Sequence, residues 1–210
     1  RVGAGGSDSL EGGDGDDELD GMSGDDAILG GDGDDVLYGR SGQDTLDGGG
    51  GADFVGGGRG DDVLRGGAGD DRIVDLHGDN MADGDDGDDV IRLGGSRGVA
   101  RGGAGDDSLS ASAGNHLLMG EDGNDALIAG SGTVELDGGA GDDALSIAAG
   151  AAAVVHFARG GGLDTVDLGG FRENAIAEIR LGAAIASSQV AIRREAGDFV
   201  LSIAGTADAL

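Results

Sequence analysis

The sequence predicts an all-β fold, a β-solenoid of very short strands wound into stacked 18-residue coils. Three observations predict it, and all share one period of nine. Apolar residues recur at every ninth position: Leu10, Leu19, Ile28, Leu37, Leu46, Val55, Leu64, Ile73, Ala82, Ile91, Ala100, Leu109, Leu118, Leu127, Leu136, Leu145 and Val154. Glycines recur in a second phase from Gly6 to Gly150, broken only at Ser96. Aspartates recur in a third phase, Asp8, Asp17, Asp26, Asp35, Asp44, Asp53, Asp62 and Asp71. The unit is G-G-x-G-x-D-x-U-x with U apolar, seen intact in Gly12–Asp20 (GGDGDDELD) and Gly30–Tyr38 (GGDGDDVLY).

Each part of the unit has a physical reading. The x-U-x triplet is a short strand, and alternation across a strand sends U to one face and its neighbours to the other. The glycine-rich remainder is a turn, where positive φ and close backbone approach exclude a Cβ. One unit cannot bury its apolar side. Two opposed units can place their U residues face to face, and stacking coils about 4.8 Å apart buries a continuous row.

Composition agrees with this register. Of 210 residues, 50 are Gly; Asp and Glu total 42 against 13 Arg, for a net charge of −29. Residues 1–155 carry 42 of the Gly, with 35 acidic residues against 8 Arg. There is no Cys, so no disulfide framework or thiolate metal site exists. No apolar run reaches the ~18 residues of a membrane span, and the first residues do not read as a charged, apolar, small-residue leader. Its start at Arg1 reads as a fragment or mature segment. The negative field disfavours nucleic acid and anionic lipid and favours cations. Stacked Asp turns set carboxylates about 5 Å apart, a repulsion of roughly 3 kcal/mol per pair at an effective dielectric of 20. Carboxylates and main-chain carbonyls are hard oxygen donors in flexible turns, which selects Ca²⁺ over Zn²⁺, Cu²⁺ or Mg²⁺.

On these repeats the chain resembles the RTX (repeats in toxin) family of haemolysin-type calcium-binding repeats, over residues 3–155. The resemblance implies a right-handed parallel β-roll in which each Ca²⁺ sits between Gly-rich turns of successive coils, held by the motif Asp of both and by turn carbonyls. The implied ligands on one edge are Asp17, Asp35, Asp53, Asp71, Asp89, Asp107, Asp125 and Asp143; on the other they are Asp8, Asp26, Asp44 and Asp62. The second edge continues with Asn80, Gly98, His116, Val134 and Ala152, none a carboxylate, so a metal-free second edge is expected past Asp62. Seven gaps on one edge and three on the other make about ten ions. The neighbouring acids Asp16, Asp25, Asp34, Asp61, Asp70, Asp88, Asp106 and Asp142 read as solvated residues that supply field.

No catalytic constellation appears. Asp79–Val90 lacks the carboxylates of an EF-hand loop, no Lys completes a phosphate loop, and neither HExxH nor GxSxG occurs. His77, His116 and His156 read as turn or surface residues rather than a zinc triad.

After Val155 the composition changes, and 156–210 reads as a degenerate last repeat, Gly161–Leu168 (GGLDTVDL), followed by a small β cap. Ala177–Leu181, Val190–Arg193 and Phe199–Ile203 alternate as strands, the last two a hairpin, with Phe157, Phe171 and Phe199 as cap-core candidates. Asp198–Leu210 resembles the region that follows repeats in large haemolysin-related exoproteins. Val99, Leu117, Met119, Ile128 and Val155 are outward apolar positions expected to meet the C-terminal segment or a partner.

The functional expectation is a non-enzymatic calcium-binding module of a secreted, extracellular protein. By resemblance it leaves the cell unfolded through type I secretion machinery and folds in extracellular calcium. The alternatives are a stalk or adhesive segment of a large exoprotein, or the non-catalytic C-terminal region of a secreted protease or lipase, with the parent enzyme or adhesin domains in the same chain.

Overall fold

The computed structural model describes residues 1–148, 151–157, 162, 164–167, 177–181, 190–195 and 198–203, and among them every regular element is a strand. Two parallel faces alternate along the chain. One carries β1 (Ser9–Asp14), β3 (Ala27–Asp32), β5 (Thr45–Gly50), β7 (Val63–Ala68), β9 (Asp79–Asp86) and β11 (Arg97–Ala104). The other carries β2 (Glu18–Asp20), β4 (Val36–Ser41), β6 (Phe54–Arg59), β8 (Arg72–Asp75) and β10 (Val90–Leu93). From β1 to β9 each strand pairs in parallel with the one two elements later, 18 residues on: Leu10 with Ile28, Leu19 with Leu37, Leu46 with Leu64, Ile73 with Ile91. The 18-residue coil is therefore the stacking unit, and the chain is a parallel β-solenoid.

The nine-residue apolar phase is the core. From Leu19 to Leu145 every U residue is buried, and Leu10 packs against the row from the first coil. Many strands are longer than the three residues expected. They run on through the first two glycines of the next unit, as in Ala27–Asp32 (AILGGD), because these main chains stay in register with their equivalents one coil away. The fourth motif position is the most restricted. At Gly42 and Gly60 φ is 141° and 133°, and an added Cβ would strike the carbonyl of the same glycine in the preceding coil.

Past Ser108 the coil changes character. β12 (Ser108–Asp122) and β13 (Ala126–Ala140) each run 15 residues around one corner and join both faces, and their whole lengths pair, including Gly114 with Gly132 and His116 with Val134. β14 (Ala144–Ile147) keeps the 18-residue step, and β15 (Ala152–Phe157), β16 (Thr165–Asp167) and β17 (Ala177–Leu181) continue the two faces with longer ones. Leu136 pairs with Val155, Leu145 with Val166 and Ala153 with Ala177. The step at Val155 is a correction. Phase nine places Val154 inside and Val155 outside, yet Val155 is buried and Val154 only half-buried. One inserted residue flips a strand's faces, and the larger coil selects the other valine. β18 (Val190–Glu195) and β19 (Asp198–Ile203) pair antiparallel as a separate two-stranded sheet. Phe171 and the Ala196–Gly197 turn lie outside the described residues.

Candidate metal sites

Two edges join the faces. The first edge holds the turns 12–17, 30–35 and so on to 138–143. The second holds 3–8, 21–26, 39–44 and 57–62, then the corner built from 75–80 onward. Each turn ends at a motif Asp whose side chain closes the fold locally. Its Oδ1 accepts the main-chain N–H of the equivalent residue one coil earlier. On the first edge these bonds link Asp17 to Asp35, Asp35 to Asp53, Asp53 to Asp71, Asp71 to Asp89, Asp89 to Asp107, Asp107 to Asp125 and Asp125 to Asp143, at 2.7–2.8 Å. On the second edge Asp8, Asp26 and Asp44 donate to Asp26, Asp44 and Asp62 at 2.8–2.9 Å. The carboxylate thus satisfies an amide that the strand ladder leaves over.

The other oxygen has no such partner. Asp8 and Asp17, at the start of the solenoid, are half-buried, and Asp8 Oδ2 takes the N–H of Ala4. The remaining ten motif residues are buried, at 1–3% exposure, and every one leaves Oδ2 without a hydrogen bond. Each Oδ2 leans over the first glycine of its own turn, and at most of these glycines the main-chain carbonyl of the next coil also points there. At Gly3 a Cβ would lie 2.6 Å from Gly21 O and 2.8 Å from Asp8 Oδ2, and the same pair meets, with Oδ2 closer still, at Gly30 (Asp35 and Gly48), Gly102 (Asp107 and Gly120) and Gly120 (Asp125 and Gly138). The first glycine is kept free of a side chain so that a carboxylate oxygen and a carbonyl oxygen can share this space.

Such a pair of oxygens offers a place for a cation. Buried polar atoms in proteins are almost always partnered, and an unpartnered buried carboxylate is costly. Burial raises Asp71, Asp89 and Asp107 to about 7 and Asp44, Asp125 and Asp143 to about 6, with neighbouring carboxylates adding to the rise; the main-chain N–H bond opposes it. Among the described residues no three Asp, Glu, His or Cys side chains converge as a metal cluster. Any ion must therefore draw on carbonyls beside one or two carboxylates, a hard all-oxygen set that fits Ca²⁺. The residues present fit calcium on both counts, orphaned oxygens and a cradle of donors.

The second edge departs from this at Asn80. Its Oδ1 takes Asp62 N–H at 2.9 Å, as a motif Asp would, but its Nδ2 donates to His77 O at 2.9 Å, so the turn satisfies itself. Beyond it the first-glycine positions become Leu93, Ala111, Ala129 and Ile147, and the Asp positions become Gly98, His116, Val134 and, by pairing, Ala153. Leu93, Ala111, Ala129, Val134, Ile147 and Ala153 are all buried in the core. His116 differs from its expected place at a turn or surface. It is 3% exposed inside β12, with Nε2 3.1 Å from Ala113 O, because it occupies the inward position of a lost Asp.

Three further features escape the repeat pattern. Asp164 extends the first-edge ladder by one coil, accepting Asp143 N–H at 3.2 Å, and burial raises it to about 6. Its signal is the degenerate GGLDTVDL, displaced by the longer last step. Asp75 is buried at a first-glycine position and is raised to about 8 by burial, with Asp62 beside it. The neighbouring acids do more than supply field: the Oδ1 of Asp16, Asp25, Asp34, Asp61, Asp70, Asp88 and Asp106 accepts the N–H of the next coil's equivalent residue.

Known families agree with the periodicity. The family described as RTX calcium-binding nonapeptide repeat (4 copies) matches residues 2–37, 20–55, 29–64, 56–91, 65–100, 94–127 and 119–151. Comparison with curated proteins gave no match.

Proposed function

The chain belongs to the RTX calcium-binding nonapeptide repeat family, and on that premise we propose that it is a module whose folding is driven by extracellular calcium. As a calcium-binding repeat β-solenoid it is a structural rather than a catalytic fold. The observation that carries the proposal is the row of buried, unpartnered Oδ2 atoms on the motif Asp residues. About ten ions, held by Asp17, Asp35, Asp53, Asp71, Asp89, Asp107, Asp125 and Asp143 on the first edge and by Asp8, Asp26, Asp44 and Asp62 on the second, offset +20 of the −27 carried by residues 1–155. Asp164 continues the first row.

Coupling follows from the charge. With the pockets empty, raised pKa values and like-charge repulsion oppose the coil; when ions bind, their binding free energy becomes folding free energy. Extracellular calcium modules work at Kd of roughly 10⁻⁴–10⁻³ M, so such sites empty at cytosolic calcium and fill outside. That behaviour suits export as an unfolded chain by a type I route, and an extracellular location.

The test is far-UV circular dichroism against calcium for the unaltered chain, Asp53→Ala and Asp16→Ala. Asp53→Ala removes a pocket oxygen and is expected to raise the calcium midpoint severalfold, more than Asp16→Ala. A β signal already complete in chelator and indifferent to calcium would sink the proposal.

A further inference from the structure

The second edge loses its motif Asp at Asn80, yet one buried carboxylate appears five residues earlier. Asp75 stands where the repeat has its first glycine, and it is 1% exposed. Its Oδ1 accepts His77 N–H at 3.1 Å, which fixes the side chain. Its Oδ2 reaches back over Gly57 of the preceding coil. There a Cβ would lie 2.6 Å from Asp62 Oδ2 and closer still to Asp75 Oδ2.

At Gly39, one coil earlier on the same edge, the two oxygens that meet over the first glycine are Asp44 Oδ2 and the Gly57 carbonyl. Over Gly57 the carbonyl's place is taken by a second carboxylate. Both Oδ2 atoms are buried, and neither has a donor from the rest of the protein. Two carboxylates facing each other in a dry pocket repel strongly unless a shared proton or a cation lies between them. Asn80 does not relieve them, since its Nδ2 donates to His77 O and neither Oδ2 receives a bond from it.

We propose that Asp62 and Asp75 form a two-carboxylate calcium site over Gly57 that terminates the second-edge row. It departs from the repeat pattern in drawing a side chain from the first-glycine position. It replaces the charge lost at Asn80 and stands where the metal-type turns give way to the apolar corner. This inference rests on the calcium reading above. Because ligand charge sets affinity in such sites, this pocket binds more tightly than its single-carboxylate neighbours.

The test is calcium binding by isothermal titration calorimetry on the full chain, comparing Asp75→Asn with Asp16→Asn. Asn keeps the shape and the acceptor for His77 N–H. Asp75→Asn is expected to bind one ion fewer, or to weaken one tight step by roughly tenfold or more, while Asp16→Asn matches the unaltered chain. Unchanged number and affinity in Asp75→Asn would overturn the site. If the unaltered chain bound no calcium, the family reading itself would fail instead. Should Asp75→Asn not fold at saturating calcium, Asp75→Gly restores the repeat's own residue and its single-carboxylate pocket, so the ion number is expected to hold while one tight step weakens to the level of the other sites. Europium luminescence of the unaltered chain is a check that needs no variant. Its ⁷F₀→⁵D₀ excitation line moves with ligand charge, so a distinct band is expected from this site, and a single uniform band would overturn it.

Discussion

The two edges of one solenoid solve the same corner in opposite ways. The first edge turns the chain with glycines and leaves a buried carboxylate oxygen orphaned in each coil from Asp35 to Asp143. The second edge starts in the same way and then replaces Gly with Leu93, Ala111, Ala129 and Ile147, and Asp with His116 and Val134. There the corner is strand, β12 and β13 run through it unbroken, and the space that would hold an ion holds core. On the calcium reading, a coil can thus be closed by an ion or by methyl groups. The residues at the first-glycine and Asp positions decide which, and they change together.

The comparison breaks most severely if the wrong chemistry is put in a corner. Val134→Asp places a carboxylate at a motif position whose first glycine is now Ala129, leaving no cradle. An unpaired buried charge costs several kcal/mol, so loss of the folded coil is expected even in calcium, read by circular dichroism. Gly102→Ala is the mirror experiment. Its Cβ enters the space shared by Asp107 Oδ2 and Gly120 O, so a drop in bound ions and a raised calcium midpoint are expected in titration calorimetry, whereas Ala129→Gly on the second edge leaves the midpoint nearly unchanged.

Asp89→Asn should change sign with conditions. Burial already raises Asp89 to about 7, so its charged form is disfavoured in the empty coil. The neutral variant is expected to be more ordered than the unaltered chain in chelator at pH 8 and to need more calcium to fold fully. Two urea melts, with and without calcium, check both halves.

The pH dependence follows from the same groups. Unfolded Asp titrates near 3.9, and the folded values are about 6 for Asp44, Asp125 and Asp143 and about 7 for Asp71, Asp89 and Asp107. The empty coil therefore binds more protons than the unfolded chain between these values. Its stability is fully present below about pH 4 and is lost as pH rises through about 6 to 7. In chelator the β signal is expected to be larger at pH 5 than at pH 8. A larger signal at pH 8 would contradict the assignment. The smallest effect is at the second motif position. Met22 holds φ 76° where the repeat has Gly, with its side chain exposed. Met22→Gly relieves a left-handed strain of ~1 kcal/mol and is expected to raise the thermal midpoint by a few degrees in calcium.

Much of this was legible in the sequence because the signal repeats. The apolar phase marks the core from Leu19 to Leu145, and the failure of carboxylates past Asp62 marks the second edge as different. What escaped detection lies where periodicity stops carrying information. One added residue moved the inward position from Val154 to Val155, and nothing in the local alternation of two adjacent valines distinguishes them. Asp164 was hidden by a longer coil. Asp75 stands alone at a first-glycine position, and its approach to Asp62 of the coil before it is set by the stacking rather than by the repeat pattern. His116 looked like an exposed turn residue because its burial comes from the pairing of two long strands.

The central claim is that the first edge is held by calcium, and amide hydrogen exchange at its motif residues tests it most directly. The N–H groups of Asp53, Asp71, Asp89 and Asp107 are bonded only to the carboxylate of the next coil, so they report on that edge alone. They are expected to exchange at the rate of an unfolded chain in chelator at pH 8 and to become strongly protected once calcium is added. Protection that is equally strong in chelator would contradict the account.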